Sequence, residues 1–361
     1  VSRRIGEKKP EEAATAAFQA IITGIAVSLV IAVPGLLFSK SILQLMGLSQ
    51  EMADQYHGYT AIMLGGNVVI MLLFINNAIF RSAGDAAISM RVLWFANLLN
   101  IILDPCLIFG LGPFPEMGIA GAATATTIGR GLAVAYQFYM MTRGKSRIRL
   151  KLVNLKVVPA VMRKLISLSM GGIGQFIIAT SSWIFLVRII STFGSEVLAG
   201  YTIAIRIIVF ALLPSFGISN AAATLVGQNL GAKQPLRAER SAWITGLVNV
   251  LLLGVFSFFM IIFSENLIML FMTDPAVVGA GAECLTIISY GMLAYGLGMV
   301  MVNSLNGAGD TATPTKINFF CFWLLEIPLA YFLAITLGVE EKGVFYAIVI
   351  AETALTIIAS I

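Results

Sequence analysis

Arg4–Ala13 reads RIGEKKPEEA, and Asn229–Ala238 reads NLGAKQPLRA. Gly6, Lys8, Pro10 and Ala13 fall on Gly231, Lys233, Pro235 and Ala238 at one ungapped offset of 225. The same offset carries Phe38-Ser39 onto Phe263-Ser264 and Ala83-Gly84-Asp85 onto Ala308-Gly309-Asp310. It also carries Gly118 onto Gly343 and Ala122 onto Ala347. Apolar matches mean little in a greasy chain, but turn residues matching at one offset mark an internal repeat. Two copies of one unit are expected.

Between these marks the chain is strongly apolar. Of 361 residues, 58% are hydrophobic and 11% charged, and the mean hydropathy is +0.93. A soluble domain carries about a quarter charged residues, so this chain cannot cover a water-facing surface. A bilayer span needs roughly 20 apolar residues. That window finds ten stretches: 15–37, 57–79, 90–112, 118–141, 165–190, 197–226, 241–263, 279–304, 316–337 and 343–361. They are expected to be helices, because open strands leave backbone groups unpaired in lipid and the alternation of a β-barrel is absent. The fold class is therefore all-α, a polytopic membrane protein.

Six helices per period return the chain to the same side, so the copies are expected to be parallel six-helix bundles related by an axis along the membrane normal. The spans 165–190 and 197–226 have no counterpart in the first copy. Two helices are expected to precede Val1, leaving ten here. The lobes are then 1–141 and 165–361, joined by a basic linker, 142–164, lying at the interface against anionic headgroups.

Charge orients the chain. The connections 1–12, 80–91, 142–164, 228–240 and 306–316 hold 18 of the 23 Lys and Arg residues. The opposite side holds only Lys40 and Lys342, with nine of the 18 Asp and Glu residues. The positive-inside rule puts the basic loops in the cytoplasm. Cys106, Cys284 and Cys321 lie in separate apolar runs, and the single histidine is His57. This is not the inventory of a disulfide framework, a zinc site or a catalytic triad, and no enzyme or nucleic-acid role is expected.

Polar residues inside spans are costly and raise functional hypotheses. The sharpest group is Asn97-Leu-Leu-Asn100-Ile-Ile-Leu-Asp104-Pro105. Asn100 and Asp104 share a helical face, with Asn97 a turn earlier. Pro105 cannot donate to the carbonyl of Ile101, which leaves a free oxygen and predicts a kink. A carboxylate, an amide and a carbonyl could hold Na+, the only metal expected here, or the acid could take H+; a non-titrating clasp is the other reading. The stretch GIAGAATATT from Gly118 offers close packing and the hydroxyls of Thr124, Thr126 and Thr127. Glu326, two residues before Pro328, is either a second titrating acid or a partner of Arg188 or Arg206. Glu352 has less context. Gly84 and Gly309 are expected to stop helices, with Asp85 and Asp310 capping the next ones.

ATLVGQNLGAKQPLRAERSAW, RRIGEKKPEEAATAAFQAI, LDPCLIFG, GIAGAATAT and the paired turns at Gly84 and Gly309 together resemble the multidrug and toxic compound extrusion family over essentially the whole chain. The resemblance implies a secondary antiporter with two lobes around a central cleft, exporting cationic or amphiphilic compounds on inward H+ or Na+ flow. It implies no cofactor beyond the coupling ion, a monomer in a bacterial inner membrane, and alternating access. Within the family the chain is similar to the DNA-damage-inducible branch, whose cation-coupling residues match Asn100, Asp104 and Thr126, with a further Asp on a helix expected before Val1. The branch of norfloxacin exporters uses acids where this chain has Gln175 and Asn303, so Glu326 is the available acid of the second lobe. The rival reading is a flippase for lipid-linked precursors, which would want the cations Arg188 and Arg206 in its cavity.

Overall fold

The computed structural model describes residues 1–144 and 146–361; Lys145, part of the expected linker, lies outside the described residues. All ten expected stretches are helical, and no strand occurs among the described residues. The chain divides into two compact units, Val1–Leu165 and Ile166–Ile361.

In the first unit, α1 (Ser2–Gly6) leads into α2 (Pro10–Leu37), α3 (Ser39–Leu45), α4 (Gln50–Gly65), α5 (Asn67–Ala83), α6 (Ala86–Phe109) and α7 (Gly118–Thr142). α2 packs on α4 and α5, and α7 packs on α4, α5 and α6. Phe80, Met141 and Ile148 are fully buried between them. The expected span 57–79 is interrupted at Gly66, which divides α4 from α5. A Cβ there would sit 2.9 Å from the Thr127 side chain, so a glycine lets α7 close on the break.

The second unit holds α8 (Pro159–Ile190, its first turns belonging to the first unit), α9 (Ser195–Gly231), α10 (Pro235–Ile262), α11 (Ser264–Met269), α12 (Pro275–Ala308), α13 (Ala312–Asn318), α14 (Ile327–Tyr331) and α15 (Glu341–Ser360). α12 is the centre, packed on α9, α10 and α15. Tyr201 and Phe345 stack in this core with parallel rings 6.2 Å apart. Wide π-helical turns, Phe319–Glu326 and Phe332–Thr336, flank α14. Pro328 supplies no N–H to a normal turn, and widened turns of this kind concentrate at functional sites.

The repeat is written in the backbone. Lys8 and Lys233 both adopt left-handed φ, +57° and +59°, although neither is glycine. Each is followed by a residue at φ near −115° and then by proline in the first turn of a long helix. Gly84 and Gly309 end α5 and α12 with φ of +88° and +91°. The Asp85 and Asp310 amides then donate to Phe80 and Leu305, residues again 225 apart.

Among the described residues, nine helical stretches are long and apolar enough to cross a membrane. Gly118–Thr142 is long enough, at 25 residues, but less apolar than the rest. Its glycines, threonines, Arg130 and Gln137 lower its hydropathy, and the small residues serve contact with α6.

One expected cap is corrected. Asp310 accepts from the amides of Ala312 and Thr313 at 3.1 and 3.0 Å and caps α13. Asp85 makes no such bond to α6. Its Oδ2 accepts instead from Ser146 Oγ at 3.0 Å and the Arg147 amide at 2.7 Å. The chain after α7 competes for the carboxylate, and a segment remote in sequence wins it.

Candidate functional site

The first-unit site is built where α6 and α7 approach backbone to backbone. A Cβ on Gly121 would lie 2.3 Å from the Leu107 carbonyl oxygen, and one on Gly129 3.3 Å from that of Ala96. At Gly121 only glycine permits this contact, and the contact brings α7 side chains within reach of α6. Asn100 Nδ2 donates to Asp104 Oδ2 at 2.9 Å and, across the helix pair, to Thr126 Oγ1 at 3.3 Å. The three residues meet in the structure.

Two of the three hydroxyls are spent locally. Thr124 and Thr127 donate to the carbonyls of Ala120 and Ala123, one turn back in their own helix. Thr126 alone faces the amide on α6. Asn97 is exposed and has no partner among the described residues, so the one-face reading extends only from Asn100 to Asp104. α6 continues through Pro105 as far as Phe109.

The cluster is incomplete on its own terms. Asp104 Oδ1 is buried and has no hydrogen-bond partner. A carboxylate oxygen left without a donor in a low-dielectric setting is costly, and it is relieved by a proton or a cation. Among the described residues no group of three His, Cys, Asp or Glu side chains is placed to hold a metal, so any ion here would rest on one carboxylate, hydroxyl oxygen and amide or backbone carbonyls.

In the second unit, a cavity of about 290 Å³ opens among α8, α9, α12, the π-helical turn and α15. Its walls include Trp183, Tyr201, Met292 and Tyr295, and its charged groups are Glu326 and Glu352. Glu326 is 5% exposed, and its Oε2 accepts from Ser182 Oγ at 2.7 Å. The alternative pairing of Glu326 with Arg188 or Arg206 is corrected. Both arginines are exposed, and no ion pair joins either of them to Glu326 among the described residues. They lie on exposed faces of α8 and α9.

Gln175 and Asn303 have structural partners. Gln175 and Asn306 exchange side-chain amide bonds at 3.0 and 3.1 Å, and Asn303 donates to Ser219 at 3.0 Å. His57 is exposed, with Nδ1 2.8 Å from the Asp54 carbonyl, and the cysteines are free. Glu352 as a cavity group and Gln19 as a clamp on the linker are roles that emerge only in the structure. An acid in an apolar run was the only signal for the first, and nothing local marked the second.

A protein-family model described as MatE matches residues 1–106 and 173–332. The probable multidrug resistance protein NorM of Thermotoga maritima is 30% identical over 289 residues, 79% of this chain and 61% of that protein. The uncharacterized transporter YisQ of Bacillus subtilis is 27% identical over 360 residues, 98% of this chain and 77% of that protein. The chain thus spans about three-fifths of the length of the first and three-quarters of the second. A crystal structure of MATE in complex with MaL6 superposes with a TM-score of 0.90 at 21% identity, covering 99% of this chain and 80% of the other, a likeness of fold. The family model covers well over half of the residues, and the chain belongs to the MatE family of multi-pass membrane transporters.

Proposed function

We propose that this chain is the transport body of a secondary antiporter that exports cationic or amphiphilic compounds against inward flow of H+ or Na+. The observation that carries the proposal is the Asn100–Asp104–Thr126 cluster with its unpartnered carboxylate oxygen. A cation or proton at Asp104 would complete the cluster. It would drive an alternating-access cycle to the extent that its affinity differs between outward- and inward-facing states. Pro105 leaves the helix beside the acid short of one hydrogen bond, which makes bending there cheap. The arrangement supports the resemblance to the DNA-damage-inducible branch.

Glu326, oriented by Ser182, is the second-lobe acid in this proposal, with Glu352 beside it in the same cavity. A carboxyl-lined aromatic cavity favours cations, whereas the flippase reading would want Arg188 and Arg206 there. We assign residues 1–141 and 165–361 to the two lobes of a monomer. The linker 142–164 and the other basic loops would face the cytoplasm of a bacterial inner membrane.

The test is counter-flow in proteoliposomes holding the full-length protein, with Na+ and H+ gradients imposed separately. Asp104→Asn should abolish ion-driven efflux of a fluorescent cation while leaving the protein folded. Undiminished ion-driven efflux in Asp104→Asn overturns the assignment.

A further inference from the structure

Residues 146–158 do not trail away from α7. Besides the bonds to Asp85, Lys151 Nζ meets Glu11 at 2.7 Å, and Asn154 Nδ2 donates to the same carboxylate at 3.2 Å. The buried Gln19 side chain donates to the Lys156 carbonyl at 2.7 Å and accepts from the Val158 amide at 3.2 Å. Ile148 is fully buried beneath this strap. Between the strap, α2 and α7 a crevice of about 350 Å³ remains, walled by Phe18, Ile21, Phe138, Leu150 and Leu155, with Thr142 and Lys151 also lining it.

The outer side of the strap mixes two chemistries. Val153, Leu155 and Val157 are exposed, at 61, 45 and 60%. Arg149 and Lys156, which flank the lining residues Leu150 and Leu155, are exposed and meet no acid among the described residues. Exposed valines and leucine suit an acyl boundary, and cations beside them suit phosphate. A zwitterionic lipid would satisfy the apolar wall and offer a phosphate, but its own ammonium offsets that charge, so only an anionic lipid brings net negative charge to the cations. Basic pockets between transmembrane helices are a recurrent form of anionic-lipid site.

We propose that this crevice holds one anionic phospholipid, an acyl chain against Phe18, Ile21, Phe138, Leu150 and Leu155 and the phosphate against Arg149, Lys151 and Lys156. The site lies at the far end of α7 from Thr126 and is separate from the acid cluster. Lys151 keeps donors for a phosphate while one serves Glu11. The bonds from Asp85, Glu11 and Gln19 form the site, because they hold the strap over the crevice.

The test uses full-length protein in bilayers, with native Trp94, Trp183, Trp243 and Trp323 replaced by phenylalanine and a single tryptophan reporter at the half-exposed position, Leu155→Trp. Quenching by phosphatidylglycerol brominated in its acyl chain is compared with quenching by brominated phosphatidylcholine. The expected result is saturation by one lipid, with phosphatidylglycerol preferred. Arg149→Gln and Lys156→Gln should each lower that preference about fivefold. Asp85→Ala should lower it as well, by releasing the strap. Native mass spectrometry of the unsubstituted protein is the second measurement and should retain one phosphatidylglycerol. Equal quenching by the two lipids, a preference unchanged in both cation variants, or displacement of phosphatidylglycerol by inorganic phosphate alone overturns the proposal.

Discussion

Replacing Gly121 by alanine tests whether backbone contact between α6 and α7 assembles the acid cluster. The new Cβ would stand 2.3 Å from the Leu107 carbonyl oxygen and 2.6 Å from its carbon, where ordinary contact begins near 3.4 Å. The obstacle is backbone rather than the end of a flexible side chain, so relief requires the helices to separate by about 1 Å. Overpacking of this kind costs about 1–3 kcal/mol. The Asn100–Thr126 bond, already 3.3 Å long, would not survive such a separation. Gly131, ten residues along the same helix, is the control. A Cβ there meets only Val69 Cγ1 at 4.0 Å, and alanine should gain up to about 1 kcal/mol of helix propensity. Thermal unfolding in detergent should therefore place Gly121→Ala below the parent and Gly131→Ala at or above it. Ion-driven efflux by Gly121→Ala should be lost even at temperatures where the protein stays folded. A Gly121→Ala protein as stable and as active as Gly131→Ala would refute the reasoning.

Other outcomes follow from single contacts. Ser182→Ala removes the donor that orients Glu326, and should change the pH dependence of efflux without abolishing expression; an unaltered pH profile would remove Glu326 from the coupling scheme. Asp310→Ala loses the cap of α13 at a cost of about 1 kcal/mol, measured by thermal unfolding. Hydrogen bonds from Thr313, side chain and backbone, hold the Asp310 carboxyl below the ordinary aspartate range, outweighing a small desolvation in the other direction. A depressed folded-state pKa gives stability that is present at neutral pH and lost as pH falls through that depressed value. The gap between wild type and Asp310→Ala should therefore close only in acid more extreme than ordinary aspartate titration. Lys8 and Lys233 occupy left-handed backbone, so a β-branched Lys233→Val should lower the unfolding temperature, whereas Lys233→Gly should not.

Most of the architecture was legible in the sequence, for a reason specific to membranes. Lipid satisfies no backbone hydrogen bond, so an apolar run of about 20 residues has essentially one conformation available to it. The punctuation between runs, Gly6 to Pro10 and Gly231 to Pro235, could be read because turns depend on residue types a few positions apart. The same locality made Asn100 and Asp104 visible as a pair four residues apart on one helix. Glu326 stood out as a charge where charge is costly, but its partner did not.

What the sequence could not supply is the company each residue keeps across helices. Arg188, Arg206 and Ser182 were equally available to Glu326 on paper; packing of the π-helical turn against α8 gave it the serine and left the arginines facing outward. Glu352 entered the same cavity from α15, 26 residues further on. Asp85 and Asp310 occupy the same place in the repeat, yet one caps a helix and the other clasps a strap 61 residues away. The sequence by itself determined the membrane class, the helices, the repeat and the acid pair within one helix, because those rest on local backbone chemistry and on the cost of polarity in lipid. Tertiary structure alone decided which groups share a cavity, which partner Glu326 takes and where the strap is held, because those rest on interhelical distances that no local pattern encodes.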